Sequence, residues 1–159
     1  MSIENKKENS ISNVTERHNA RRYALQAMYQ WQVAGAPIAD IQHEFLTMHI
    51  DKKIDLDYFK ELIHGIPEHK EAIDAAIKPF MNRSMSDIAP VELAVLRVAT
   101  YELLNRPDVP YRVIINEALQ LTKKFGSIEG YKFINGILDR IAKANRTVEI
   151  QMENEKRAK

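Results

Sequence analysis

From Val91 to Leu104 the chain is polar at only four positions, Glu92, Arg97, Thr100 and Glu102. Leu93, Ala94, Val95, Leu96, Val98, Ala99, Tyr101, Leu103 and Leu104 fill most of the rest and leave almost no face for water. A helix that is apolar nearly all round needs neighbours on several sides. This stretch is too short and too charged to span a bilayer. Pro90 suits the first helical turn, where its missing N–H has no partner to lose, and Pro107 and Pro110 stop the helix. The pattern predicts a buried central helix over about 90–105.

Helical periodicity marks six more segments. In 15–34 the core face is Ala20, Tyr23, Ala24, Ala27, Met28 and Trp31, with Thr15 as its cap and Gly35 and Pro37 as its end. Residues 38–49 place Ile38, Ile41, Phe45 and Met48 on one face. Residues 55–66 turn Leu56, Phe59, Leu62 and Ile63 inward, and 68–80 turn Ala72, Ile73, Ala76 and Ile77 inward. After the central helix come 111–125, with Gly126 as its terminating glycine, and 130–145, with Phe133, Ile134, Ile137, Leu138 and Ile141. No segment alternates with period two long enough for a strand. The expected fold is all-α, with about seven helices in two bundles, 15–80 and 85–146, sharing the central helix. Residues 1–14 read as a disordered tail and 147–159 as a loose polar tail, because neither carries an apolar period.

Composition narrows the chemistry. The 159 residues suit one domain with a real core, and the absence of cysteine removes disulfides, thiol catalysis and thiolate metal sites. With no signal peptide in the polar N-terminus, the cytoplasm is the expected compartment. The net charge is only +1, so nucleic-acid binding requires local clustering. Residues 38–80 hold nine acids against five lysines, whereas 110–146 hold seven bases against three acids. The run 17–22 adds Arg17, His18, Arg21 and Arg22. No nucleophile elbow, P-loop or dinucleotide fingerprint is present. His64 and His69 are badly spaced for a metal, and Asp51, Asp55 and Asp57 lack the glycine and glutamate of a calcium loop. Neither an enzyme nor a cofactor is expected.

Two segments carry candidate chemistry. In the first helix, His18, Arg22, Leu25 and Tyr29 line up opposite the predicted core face, and Arg17 and Arg21 flank them. Positive charge in the first turns opposes the helix dipole, and a broken local rule points to function. The functional reading is a phosphate-contacting basic end, with Leu25 and Tyr29 facing a partner. The structural reading is a solvated basic turn, with those two residues covered by another helix. The second segment is Lys123-Lys124-Phe125-Gly126-Ser127-Ile128-Glu129-Gly130-Tyr131-Lys132-Phe133. Lysines interleaved with aromatics suit single-stranded RNA. Taken singly, Phe125 and Phe133 read more readily as core, although Phe133 lies at the edge of its stripe.

Taken together, the chain resembles the NusB family of bacterial transcription antitermination factors. The resemblance runs through Ala20-Arg21-Arg22, Ala24–Gln32, Val91–Leu103, Asp108–Tyr111, Ile115–Ala118, Lys123 with Phe125-Gly126, and Lys132–Asp139, in the family's order and spacing. It implies two three-helix bundles, binding to the boxA element of ribosomal RNA transcripts, a heterodimer with NusE (the small-subunit ribosomal protein) and action on elongating RNA polymerase. By position it implies RNA contacts at Arg17, Arg21, Arg22, Glu129, Lys132 and Phe133, and a NusE contact at Tyr29; the residue pattern adds His18, Lys123, Lys124 and Leu25. The arginine run is thinner than in the richest members. Two consequences stand side by side: weak RNA affinity without the partner, or compensation by Lys6 and Lys7. The competing readings are a helical protein–protein module without specific RNA binding, and the helical domain of an RNA methyltransferase. The latter needs a Rossmann-type domain for which this sequence has no pattern.

Overall fold

The computed structural model describes residues 3–50 and 53–158, with side chains from Asn13 onward. Regular structure among them is helical throughout. The helices are α1 (Ile3–Ala34), α2 (Ile38–Glu44), α3 (Leu56–Glu68), α4 (Lys70–Ile77), α5 (Pro90–Asn105), α6 (Tyr111–Phe125), α7 (Ile128–Asn145) and α8 (Thr147–Ala158). A π-helical turn, Phe45–His49, extends α2, and short 3₁₀ turns occupy Lys78–Phe80 and Met85–Asp87. The expected all-α class is present, and α8 is a helix beyond the expected seven. The chain forms two compact units, Met1–Glu68 and His69–Lys159.

In the first unit α1 packs on α3 and α2. Ala20, Ala24 and Ala27 are fully buried, which lets backbones approach closely. Phe45 meets Tyr23 edge-on at 6.5 Å and Phe59 at 6.1 Å between ring centroids, a spacing typical of favourable aromatic pairs. Asp55 starts α3: its carboxylate accepts the Tyr58 N–H at 3.0 Å, and its own N–H donates to the Glu16 carbonyl at 3.1 Å. Gly35 ends α1 in the left-handed region at φ +69°, where glycine carries no Cβ penalty. Thr15, expected to cap this helix, lies inside it, because α1 begins at Ile3. The expected disordered tail is therefore helical over 3–14, while Met1 and Ser2 lie outside the described residues. No proline or glycine interrupts the sequence from Ile3 to Ala34, so nothing in it stops the helix earlier.

The second unit is built on α5, which is buried at every position from Ala94 to Leu103. Helices α4, α6 and α7 all pack on it. A fully buried Leu or Val contributes about 1.5–3 kcal/mol, but a dry helix must also satisfy its polar groups. Arg97 does so by gripping Asp74 of α4 in a two-pronged bond, Nε to Oδ1 at 3.1 Å and Nη2 to Oδ2 at 3.0 Å. This pair places α4 in the second unit rather than in the expected first bundle. The expected boundary near 80–85 followed a loop, whereas packing divides the chain between Glu68 and His69.

The far end of α5 is held by Arg146. Its guanidinium is buried and donates to the carbonyls of Glu102, Leu103, Arg106 and Val109 at 2.8–3.2 Å. These include carbonyls that the end of a helix leaves without intrahelical partners. Arg146 also pairs with Glu149 at 2.6 Å. Glu149 in turn accepts the N–H of Tyr111, the first residue of α6, at 3.0 Å. That helix starts on Pro110, which offers no side-chain cap. One Arg–Glu pair thus places a cation at the end of α5 and an anion at the start of α6, the sign each helix dipole favours.

The loose tail expected over 147–159 is instead α8 for its described residues up to Ala158, and Lys159 lies outside them. Polar anchors explain why an unpatterned sequence is ordered. Besides the Arg146–Glu149 pair, Glu153 accepts from Arg112, with Nε to Oε1 at 2.7 Å, and pairs with Arg157 at 3.3 Å. Gly126 closes α6 in extended backbone at φ −125°, not in the left-handed form. Its N–H reaches the Thr122 carbonyl at 2.7 Å. A Cβ there would lie 3.0 Å from that oxygen and 3.1 Å from Thr122 Cγ2, so close approach rather than φ favours glycine.

Three outcomes test this account. Val95→Asp buries an unpaired charge at a position 1 % exposed and abolishes the cooperative unfolding transition. Asp74→Ala removes the two-pronged bond to the buried Arg97 and lowers stability by about 3–5 kcal/mol in denaturant titration, whereas Asp74→Leu combined with Arg97→Met recovers most of that loss. The Arg112 hydrogen bond holds the Glu153 carboxyl below its usual pKa. Docking of α8 is therefore complete above the ordinary glutamate pKa and weakens as pH falls through the lowered one. Hydrogen exchange should show α8 amides losing protection over that interval before those of α5.

Candidate nucleic-acid interface

The basic residues of α1 are of two kinds. Arg21 is buried, at 3 % exposure, with its guanidinium carbon 5.5 Å from the Tyr58 ring centroid. Arg17 stacks more closely on the same ring, at 4.3 Å, and lies 3.8 Å from Asp55. Both arginines therefore meet the first turn of α3. Arg17 keeps about a third of its side chain exposed, whereas Arg21 is enclosed and reads as a structural cation. His18 is half-buried. Arg22 is also half-buried, 5.1 Å from the Tyr23 ring centroid. Among the described residues its buried Nε has no hydrogen-bond partner. A desolvated donor without a partner costs free energy, and among the described residues no acid holds its guanidinium as Asp55 holds that of Arg17.

Leu25 does not lie on an open face. It is 2 % exposed and offers nothing to a partner. The buried arc of α1 takes in Ala20, Arg21, Tyr23, Ala24, Leu25, Ala27 and Met28, wider than one helical stripe because α2 and α3 both pack on it. Tyr29, on the same line of the helix, is 41 % exposed. Val33, one turn later, is exposed as well, so these two form an apolar pair in solvent at i, i+4 spacing.

In the second unit α6 ends and α7 begins within a few residues. Ser127 caps α7 by accepting the Gly130 N–H at 3.0 Å. Gly130 is buried against Glu92 of α5, whose carboxylate a Cβ at this position would strike. That close approach ties the start of α7 to the central helix. Around it Lys123, Lys124, Glu129 and Lys132 are all exposed. Lys123 Nζ lies 5.5 Å from the Tyr131 ring centroid. Both side chains border a shallow cleft that also includes Gly126, Ser127 and Ile128. Phe125, the last residue of α6, is 45 % exposed, against its expected core position. Phe133 is half-buried.

Two features escaped the sequence pattern. Tyr131 was only one aromatic among several in the segment, yet it shares the cleft with a lysine. Arg83, in the connection before α5, places its guanidinium carbon 4.4 Å from the Phe133 ring centroid. They are separated by 50 residues in the chain, so no local periodicity links them. Among the described residues no group of His, Asp and Glu is arranged to hold a metal ion, and no helix is long and apolar enough to cross a membrane.

Comparison with known proteins places these features in a family. The NusB family model matches residues 18–143. The transcription antitermination protein NusB of Shewanella halifaxensis is 50 % identical over 132 residues, covering 83 % of this chain and 98 % of the relative. That of Legionella pneumophila (strain Corby) is 43 % identical over 139 residues, covering 87 % and 95 %. A solved structure of T. maritima NusB superposes with a TM-score of 0.70 at 34 % identity, covering 80 % of this chain and 90 % of that one. The family match omits α8 and the first half of α1, and includes every candidate contact except Lys6, Lys7 and Arg17. With its helices, its aromatic and basic segments and nearly the whole length of its relatives in common, the chain belongs to the NusB family.

Proposed function

We propose that this chain is a transcription antitermination factor. In this reading it binds the boxA element of ribosomal RNA transcripts together with NusE and helps elongating RNA polymerase pass sites of premature termination. Family membership supports the antitermination role. The observation that carries the RNA reading is the α6–α7 junction, where exposed lysines 123, 124 and 132 lie among the partly exposed rings of Phe125 and Tyr131, with the half-buried Phe133 beside them. Single-stranded RNA offers the matching groups, phosphates for cations and unstacked bases for rings.

Within α1 the RNA contacts are Arg22, Arg17 and His18, while Arg21 acts through the fold by packing near Tyr58. Glu129 lies on the exposed first turn of α7, where a carboxylate can accept from a base amino group. Tyr29, with Val33 beside it, takes the NusE contact. Leu25 has no part in it. Lys6 and Lys7, whose side chains lie outside the described residues, remain candidates for added phosphate contacts. The expected site of action is the cytoplasm, and no cofactor is required.

Binding of boxA RNA and of a scrambled RNA, each with and without NusE, tests this reading. A preference for boxA that rises with NusE is expected; equal affinities leave only a protein–protein module. Lys123→Glu combined with Lys132→Glu should lower boxA affinity at least about tenfold and flatten its salt dependence, with an unchanged thermal midpoint. Tyr29→Asp should weaken the NusE complex and leave the fold intact. Leu25→Asp should instead unfold the protein, because it buries a charge.

A further inference from the structure

Arg83 is an exposed cation with a fixed seat. On one side of it the turn Lys78–Phe80 packs on α7. On the other, Ser84 opens the turn Met85–Asp87, its hydroxyl 2.9 Å from that of Ser86 and accepting the Ser86 N–H at 3.4 Å. The backbone on both sides of Arg83 is thus held. Its guanidinium carbon is 4.4 Å from the Phe133 ring centroid, well within cation–π range. Among the described residues no acid pairs with it. From Lys78 to Ser86 the sequence has two bases and no acid.

An arginine seated over a ring and lacking a carboxylate is preorganised for an anion. Stacking occupies one flat face of the guanidinium but leaves its N–H groups, which lie in the guanidinium plane, directed outward. Those donors match the paired oxygens of a phosphate. The same stacking decides what Phe133 does. The ring face under Arg83 is taken, so a nucleobase reaches it only by displacing the arginine. We propose that Arg83 is a further RNA contact, gripping a backbone phosphate, and that Phe133 serves as its platform rather than as a base-stacking surface. This deepens the RNA-binding reading above and rests on it.

The test is equilibrium binding of a short single-stranded boxA RNA to the full chain with NusE, over a range of salt. Arg83→Ala, Arg83→Lys, Phe133→Leu and the double variant Arg83→Ala/Phe133→Leu are compared, with Lys132→Glu as a control and thermal midpoints as a check of folding. Arg83→Ala should weaken binding about fivefold or more and lower the slope of log affinity against log salt by about one. Arg83→Lys should fall between wild type and Arg83→Ala, because it keeps the charge but loses the planar fork. Phe133→Leu should weaken wild-type binding yet add little once Arg83 is gone. Wild-type affinity and slope in Arg83→Ala, with binding lost in Lys132→Glu, overturn the proposal and leave the RNA reading standing. Weaker binding at an unchanged slope overturns the phosphate assignment, and additive losses overturn the platform role. If the control binds as wild type does and boxA is not preferred to a scrambled RNA, the RNA reading itself fails, and this proposal with it.

Discussion

A helix buried over ten consecutive residues cannot leave its polar groups to water, and the second unit is organised around that constraint. Arg97 and the last carbonyls of α5 each need a partner from elsewhere in the chain. Asp74 answers the first and draws α4 onto α5. Arg146 answers the second, and Glu149 passes the connection on to the first N–H of α6. These polar contacts are few, but each is buried or nearly so, where an unmet group costs most. Apolar packing of α6 and α7 on α5 supplies the bulk of the stabilisation, and the ion pairs settle which helix lies where.

Packing against the first turn of α5 supports the candidate RNA surface. Gly130 lets the start of α7 settle against Glu92 of α5, and Ser127 caps that start. The lysines and rings of the α6–α7 junction therefore stand on a rigid base rather than on a loose loop. The arginines of α1 divide by the opposite logic. The fold has drawn Arg21 inward near Tyr58 and left Arg22 with a buried nitrogen that no group among the described residues satisfies. A cation absorbed by the fold and one left under-satisfied differ in what they can offer a phosphate.

What could be read from the sequence follows from how local the signal is. The seven expected helices are present because apolar periodicity and proline or glycine stops are local. The burial of α5 was legible for the same reason: too few polar residues to make a wet face. The partition of the chain was not, since α4 belongs with α5 through Asp74 and Arg97, 23 residues apart. Helix α8 was missed because its order comes from Arg112, Arg146 and the α6 N-terminus rather than from an apolar stripe. Leu25 was misplaced because a single helical wheel assumes one buried face, and α1 has neighbours enough for a wider one. Arg83 gave no signal because its meaning depends on a ring 50 positions away.

The proposed function requires the α6–α7 junction, with Arg83 beside it, and the arginine end of α1 to meet RNA. Backbone amide shift mapping of the isotope-labelled chain bound to NusE, titrated with boxA RNA, tests it most directly. Perturbations are expected at residues 17–22, at Arg83 and from Lys123 to Phe133, with α4 and α8 unmoved. Perturbations confined to α3 or α8, with the junction silent, would contradict it.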